Sequence, residues 1–126
     1  MRDIALAVKI LSYKKEHNVS EDEAFISLGL DKQISKKKWD RLKGDFWAYF
    51  GQYYDTPLSR KLALLYFLSK NNKQYYNYDT FMNRVHFYIT PRTFYSYIAN
   101  IKQEGFTILT KYGYYNGYKL VDQLNF

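Results

Sequence analysis

The sequence contains no cysteine and only two histidines among its 126 residues. The lack of cysteine excludes disulfides and thiol chemistry, and it suits a reducing compartment. His17 and His86 lie far apart, without a second histidine at the spacing that zinc sites use, and the carboxylates do not cluster as magnesium ligands do. We therefore expect no metal ion and no other cofactor.

Sequence signatures of catalysis are missing too. The chain has no glycine-rich phosphate loop, no nucleophile elbow and no serine, histidine and aspartate in the order of a hydrolytic triad. Fifteen tyrosines could offer a nucleophile, as in tyrosine recombinases and relaxases, but those enzymes also surround the phosphate with several arginines or with metal-binding histidines. The arginines of this chain are few and scattered. The sequence thus predicts a protein that is not an enzyme.

Long apolar runs are absent as well. No stretch approaches the roughly 20 residues that a membrane-spanning helix requires. The first residues also lack the apolar core and cleavage site of a signal peptide. We expect a soluble, cytoplasmic protein without a membrane partner, and no segment indicates a small-molecule ligand.

Acidic residues are scarce in one part of the chain. Nineteen lysines and arginines stand against twelve aspartates and glutamates, a net charge of +7, which suits a polyanionic partner. Residues 1–55 hold ten basic and nine acidic side chains, net +1, whereas residues 56–126 hold nine and three, net +6. Residues 51–57 are the best candidate for the junction. Because that junction is short, the two segments are expected to pack together.

Aromatic residues are abundant, with fifteen tyrosines, nine phenylalanines and two tryptophans. The leading interpretation is an AT-rich coding sequence combined with aromatic packing in the core. The alternative is that exposed tyrosines, among them Tyr112, Tyr114 and Tyr115, contact sugar and phosphate or stack on bases.

Residues 89–120 carry the signals of a helix followed by a β-hairpin. Thr90 can cap a helix, and Pro91 fits the first helical position. The helix has an apolar stripe of Phe94, Ile98 and Ile101, and a second arc made by Arg92, Tyr95, Ser96 and Ala99. Gly105 is expected to end the helix, and residues 106–110 and 118–121 flank a turn rich in glycine and asparagine as two strands.

Two further helices are expected upstream, over residues 59–70 and 78–85. The first has Leu62, Leu65, Tyr66 and Leu68 at helical spacing, and the second directs Phe81, Met82 and Val85 inward. Three helices and a hairpin in this order are typical of a winged helix-turn-helix, whose third helix enters the DNA major groove. The predicted fold is therefore mainly α with a small β-hairpin: a winged helix-turn-helix over residues 56–126, preceded by a three-helix segment over residues 1–55.

A family resemblance rests on three features of residues 57–121. They are an apolar first helix, a recognition helix that starts with Thr90, Pro91, Arg92 and Thr93, and a wing that closes with Gly117, Tyr118 and Leu120. In these features the chain resembles the winged helix-turn-helix domain of biotin-repressor-type bacterial transcription regulators. The resemblance implies sequence-specific binding of double-stranded DNA. Its turn HFYI is bulkier than usual, and its wing tip YGYYN is aromatic rather than arginine-rich.

Arg92 is the leading candidate to read a base, because its fork of donors fits guanine. Tyr95 and Ser96 are expected to face the same groove, and Thr90 and Thr93 to hold phosphates beside the positive end of the helix dipole. An alternative for Arg92 is a surface ion pair with an acid. The remaining predicted DNA contacts are Pro91, Arg60 and, in the wing, Lys111, Tyr112, Tyr114 and Asn116.

The function predicted is that of a bacterial, phage or plasmid transcription regulator that binds double-stranded DNA, with a homodimer as a further expectation. One alternative is a protein-interaction module, since winged helices also contact proteins and an aromatic wing suits a partner's groove. Another is a replication or DNA-packaging factor of a mobile element.

The first 55 residues predict three helices of their own. The first spans residues 3–17 with Ile4, Ala7, Val8 and Leu11 on one face. A capping box of Ser20 and Glu23 opens the second, which Gly29 can end, and Ser35 opens the third. The apolar stripe of the third helix is Trp39, Leu42, Phe46 and Phe50. This segment is either a support or dimer surface, or a second helix-turn-helix that directs Lys36, Lys37, Lys38 and Arg41 toward phosphate.

Overall fold

A computed structural model describes residues 2–114 and 116–126. Six α-helices of the described chain are followed by two strands, so the mainly helical fold with a small hairpin is confirmed. No helix in the described residues is long and apolar enough to cross a membrane. The helices are α1 (Asp3–His17), α2 (Glu21–Ser27), α3 (Lys36–Phe50), α4 (Pro57–Lys70), α5 (Tyr78–Arg84) and α6 (Pro91–Gln103), with a 3-10 turn at Leu30–Lys32, and the strands are β1 (Ile108–Lys111) and β2 (Gly117–Leu120).

Side-chain caps start three of the helices where the sequence predicts. The hydroxyls of Ser20, Ser35 and Thr90 accept hydrogen bonds from backbone N–H groups three residues later, at 3.1 to 3.2 Å. Helix α4 begins two residues before the predicted start, because Thr56 caps it and Pro57 occupies its first position. Thr56 and Ser59 form a reciprocal capping box there.

Helix α1 is covered on more than the one predicted face. It packs against both α2 and α4. Leu6 and Ile10 are therefore fully buried in addition to the predicted stripe of Ile4, Ala7, Val8 and Leu11.

Trp39 joins α2 to α3. Its indole Nε1 donates to Asp22 Oδ1 at 2.9 Å, and its ring stacks on Phe25 at a centroid distance of 4.1 Å. Leu42 and Phe46 of the predicted stripe are buried as well, but Phe50 is half exposed. The inward assignment of Phe50 is therefore wrong: Ala48 is the residue of the last turn that faces the core, and the Phe50 ring lies at the surface, 4.3 Å from the Lys14 ammonium.

Helix α4 lies at the centre of the core. It contacts α1, α3, α6 and β2. Leu62, Leu64, Leu65 and Leu68 have no exposed surface, whereas Tyr66, expected in the same stripe, is 39% exposed. One continuous hydrophobic cluster includes buried side chains from both halves of the chain. The two segments thus share a core through α4.

The two ends of the fold are joined where α1 meets α6. Glu104 follows α6 directly, and its Oε1 accepts a hydrogen bond from the backbone N–H of Ala5 at 2.9 Å. This N–H lies in the first turn of α1 and therefore has no partner within that helix. In return the Arg2 guanidinium donates to the carbonyl of Gln103 at 2.5 Å. The start of α1 is therefore attached directly to the end of α6.

The hairpin is anchored to the connection between α4 and α5. Strands β1 and β2 pair antiparallel, with Ile108 opposite Leu120 and Lys111 opposite Gly117. Tyr76 forms a bridge to Tyr118 with two backbone hydrogen bonds of 2.9 Å. A Cβ on Gly117 would lie 2.8 to 2.9 Å from backbone atoms of Tyr76, so only glycine permits this approach.

Candidate nucleic-acid interface

Helix α6 presents two different faces, as the sequence predicts. Phe94, Ile98 and Ile101 are buried, and Tyr97 joins them. The opposite arc begins at the capping residue. Thr93 is half-buried there, and the exposed residues are Thr90, Pro91, Arg92, Tyr95, Ser96 and Ala99. The first two turns of α6 are therefore open to a partner.

Arg92 forms no ion pair with any residue that the structure describes. The ion pairs found in the described chain all join side chains of residues 1–55: Lys14 with Glu21, Lys38 with Asp3, and Lys43 with Asp22 and Asp40. In the other half, Glu104 and Asp122 accept backbone N–H groups instead. The described cations of residues 56–126 are thus not neutralised by neighbouring carboxylates.

Thr90 and Thr93 are joined to each other. The Thr90 hydroxyl accepts the backbone N–H of Thr93 at 3.2 Å and donates to the Thr93 hydroxyl at 3.0 Å. The Thr90 side chain is therefore mainly a helix cap, while the positive end of the α6 dipole remains exposed beside it.

A hydrogen bond from the Tyr78 side chain holds the connection between α5 and α6 in place. The Tyr78 hydroxyl donates to the carbonyl of Ile89 at 2.5 Å. Desolvation, with a hydrogen bond to the Tyr88 hydroxyl, raises the pKa of Tyr78 to about 12, so the phenol remains a donor at neutral pH. Phe87 packs 5.3 Å from the Tyr54 ring and Ile89 is buried, which explains the bulky turn. Tyr88 between them is 74% exposed.

Tyr95 connects the exposed face of α6 to the base of the wing. Its ring lies 5.6 Å from Phe94 and 6.4 Å from Tyr118 of β2. Burial, with Tyr95 and Tyr112 nearby, raises the pKa of Tyr118. The phenol groups of α6 and of the wing therefore border one surface.

The wing tip is exposed as predicted. This holds for Lys111, Tyr112, Tyr114 and Asn116, whereas Tyr115 lies outside the described residues. Sequence reasoning predicted Lys111 but overlooked two cations near it, Lys119 and Lys102. The ammonium groups of Lys111 and Lys119 each lie 5.8 Å from the Tyr75 ring centroid, and Lys102 of α6 donates to Thr110 Oγ1 at 3.1 Å.

Two of the overlooked residues had a local signal. Tyr88 lies between the inward Phe87 and Ile89, and Lys119 precedes the buried Leu120. Alternation of this kind is typical of extended backbone, in which successive side chains point to opposite sides. Tyr75 had no such signal, because its position depends on the bridge from Tyr76 to the wing.

The other predicted cations lie elsewhere. Arg60 is half-buried on α4, and its Nε donates to the carbonyl of Tyr54 at 2.7 Å, which ties α4 to the junction. Among the described residues, no hydrogen bond or ion pair joins Arg60 to α6. On α3, Lys38 pairs with Asp3 at 3.2 Å, and the exposed cations are Lys36, Lys37 and Arg41.

Comparison of the chain with protein-family models, with curated proteins and with solved structures finds no match. In the described residues, no group of three or more histidine, aspartate or glutamate side chains could hold a metal ion. The function is therefore inferred from the surface of α6 and the wing.

Proposed function

We propose that the chain is a winged helix-turn-helix protein that binds double-stranded DNA sequence-specifically, as a bacterial, phage or plasmid transcription regulator. The observation that carries this proposal is the exposed, basic first part of α6 beside an exposed hairpin, in a half of the chain with net charge +6. The resemblance of residues 57–121 to biotin-repressor-type regulators supports the same function.

In the proposed complex, the first two turns of α6 enter the major groove. Arg92 donates two hydrogen bonds to the O6 and N7 atoms of a guanine, the commonest specific contact between a protein and DNA. Tyr95 and Ser96 contact neighbouring base edges or sugars. Thr93 and the N-terminus of α6 hold a backbone phosphate.

Sequence-independent affinity comes from the cations around this helix. Lys102 lies near the end of α6 and donates to Thr110 of β1, and Lys111 and Lys119 lie on β1 and β2 of the wing. Each cation that neutralises a phosphate releases condensed counterions, and the gain in entropy favours binding. The phenol groups of Tyr88, Tyr95 and Tyr112 add hydrogen-bond donors to phosphate oxygens.

One observation favours a second candidate, a protein-interaction module. Tyr112 and Tyr114 at the wing tip are 86% and 91% exposed, and exposed aromatic side chains are common anchors of protein interfaces. A replication or packaging factor of a mobile element would use the same DNA-binding surface in another process.

The test is selection of bound duplexes from a random DNA pool, followed by affinity measurements over a range of salt concentrations. Enrichment of one motif, together with a fall of log affinity as log salt rises, is the expected result. A scrambled duplex of the same length is the control. Absence of enrichment and of salt-dependent binding would favour the protein-interaction module.

A further inference from the structure

A cleft of about 660 Å³ lies on the fold away from the exposed arc of α6. Its walls are the C-terminal ends of α1 and α3, the middle and end of α4, and the connection from α5 to α6 at Arg84, Val85 and His86. The volume falls in the range of about 300 to 1,000 Å³ that small-molecule sites occupy.

The floor of this cleft is apolar and aromatic. Leu11, Ala63 and Phe126 in its lining are buried, and Phe67 is half-buried. The Phe126 ring lies 6.5 Å from Tyr49 and 5.9 Å from Tyr66. An apolar or aromatic body would therefore displace water from an apolar surface there.

The rim of the cleft carries charge of one sign. Four cationic side chains line it, Lys14, Lys15, Lys70 and Arg84, and none of the described lining residues is acidic. Lys14 is partly neutralised by Glu21 at 3.7 Å. Lys15, Lys70 and Arg84 are exposed and form no ion pair with a described residue.

Phenol groups lie between the floor and the rim. Tyr49, Tyr54 and Tyr66 all line the cleft. Burial raises the pKa of Tyr49, and the neighbouring hydroxyls of Tyr66 and Tyr54 raise it further. Burial also raises the pKa of Tyr54. Both groups thus remain neutral at physiological pH and can donate hydrogen bonds to an anion.

We propose that this cleft binds a small amphipathic anion, with an aromatic body on the floor and a carboxylate or sulfonate between the rim cations and the phenols. The volume, the aromatic floor and the absence of acids from the described lining support this occupant. The site does not depend on the proposed DNA-binding function.

The experiment is a fluorescence titration with 8-anilinonaphthalene-1-sulfonate, an aromatic anion that brightens in apolar sites. N-phenyl-1-naphthylamine, which lacks the sulfonate, is the neutral probe. We expect one sulfonate probe to bind per chain. The double variant Lys70→Gln, Arg84→Gln should weaken its binding about fivefold, because two exposed charge contacts are lost, and should leave the neutral probe unchanged.

Two variants serve as controls. Lys9→Gln with Lys32→Gln removes the same charge from exposed sites outside the cleft and should change neither probe. Tyr66→Ala removes part of the wall and should weaken both probes. Circular dichroism checks that each variant is folded. Trp47→Ala changes an exposed residue outside the lining. The proposal would be overturned if this variant lost the fluorescence signal, or if the two double variants weakened binding of the sulfonate probe equally.

Discussion

At the scale of single residues, Arg92 combines exposure with the absence of a carboxylate partner in the described chain. A surface arginine that pairs with an acid would hold its guanidinium against the protein. Arg92, in the first turn of α6, is instead free of such a restraint among the described residues, which supports its proposed role as a base reader.

Replacement of Arg92 by alanine should weaken binding to the selected duplex by about 1 to 3 kcal/mol and relax the preference at one base position. The fold should not change, because the side chain is exposed. Fluorescence anisotropy on matched and single-base variants of the duplex measures both effects. Lys9→Ala is the control. An equal loss on every DNA sequence would assign Arg92 to a phosphate.

Asp45 on α3 is a residue whose charge opposes folding. Burial raises the pKa of Asp45, and a hydrogen bond with the Thr56 side chain lowers it. Among the nearby charges, Asp3 and Asp55 raise this pKa and Arg41 lowers it. Because the folded pKa of Asp45 lies above the unfolded one, the contribution of this group to stability is most favourable at low pH and is lost as pH rises through the folded pKa.

Asp45→Asn should therefore be at least as stable as the wild type at pH 7. As pH falls toward about 4, the stability of the wild type should increase relative to that of the variant. Thermal melts of both proteins across this range measure the difference. Asp31→Asn makes the same chemical change at an exposed carboxylate. A variant that is less stable than the wild type at pH 7 would show that the Thr56 hydrogen bond dominates.

At the scale of elements, the wing is held by its pairing with Tyr76 as well as by its own two strands. The hydrogen bonds between Tyr76 and Tyr118 extend the hairpin by one bridge and join it to the connection between α4 and α5. The orientation of the wing relative to α6 thus depends on Gly117, where the two backbones meet.

Gly117→Ala should destabilise the protein by about 1 to 3 kcal/mol, because the added Cβ overlaps the Tyr76 backbone. Gly44→Ala is the matched control. It lies in α3 with open space around it and should stabilise by about 0.5 to 1 kcal/mol through helix propensity. Urea denaturation measures both changes. Loss of stability of similar size in both variants would contradict the steric explanation.

At the scale of the whole molecule, the three N-terminal helices form one packed unit with the later helices and the hairpin. They share α4 in a common core, and the start of α1 is attached to the end of α6 through Glu104 and Arg2. We expect one cooperative unfolding transition for the whole chain, since neither half buries its apolar surface alone.

Glu104→Ala should lower the free energy of unfolding by about 1 kcal/mol, because an N–H in the first turn of α1 loses its acceptor. Glu104→Gln keeps an acceptor oxygen and should recover part of the loss. Glu16→Ala, at an exposed site, is the control. Far-UV and near-UV circular dichroism should give one transition in each variant. Two separate transitions would mean that the halves fold independently.

If the proposed function is right, the distribution of charge predicts which face of the protein contacts DNA. Removing three unpaired cations near α6 should reduce the slope of log affinity against log salt by about 3, whereas removing three from α3 should change it little. The first set is Arg92, Lys111 and Lys119, and the second is Lys36, Lys37 and Arg41, each changed to alanine. Equal reductions would mean two DNA-binding units in one chain.

Helix starts and the two faces of α6 were predictable from the sequence, because both depend on neighbouring residues. Ser35 and Thr90 cap helices through bonds that span only three residues. The buried and exposed arcs of α6 follow from helical periodicity. The cap at Thr56 was also local, and its Thr-Pro signal was overlooked.

The sequence by itself therefore determined the elements, their order and the exposed part of α6. Only the tertiary structure decided that Phe50 lies half outside the core, that Arg60 binds the carbonyl of Tyr54, and that Tyr76 pairs with Tyr118. It also decided that α1, α3, α4 and the connection from α5 to α6 enclose one cleft. The physical reason is that periodicity shows which residues can be buried, whereas the packing of distant segments selects the neighbours that cover them.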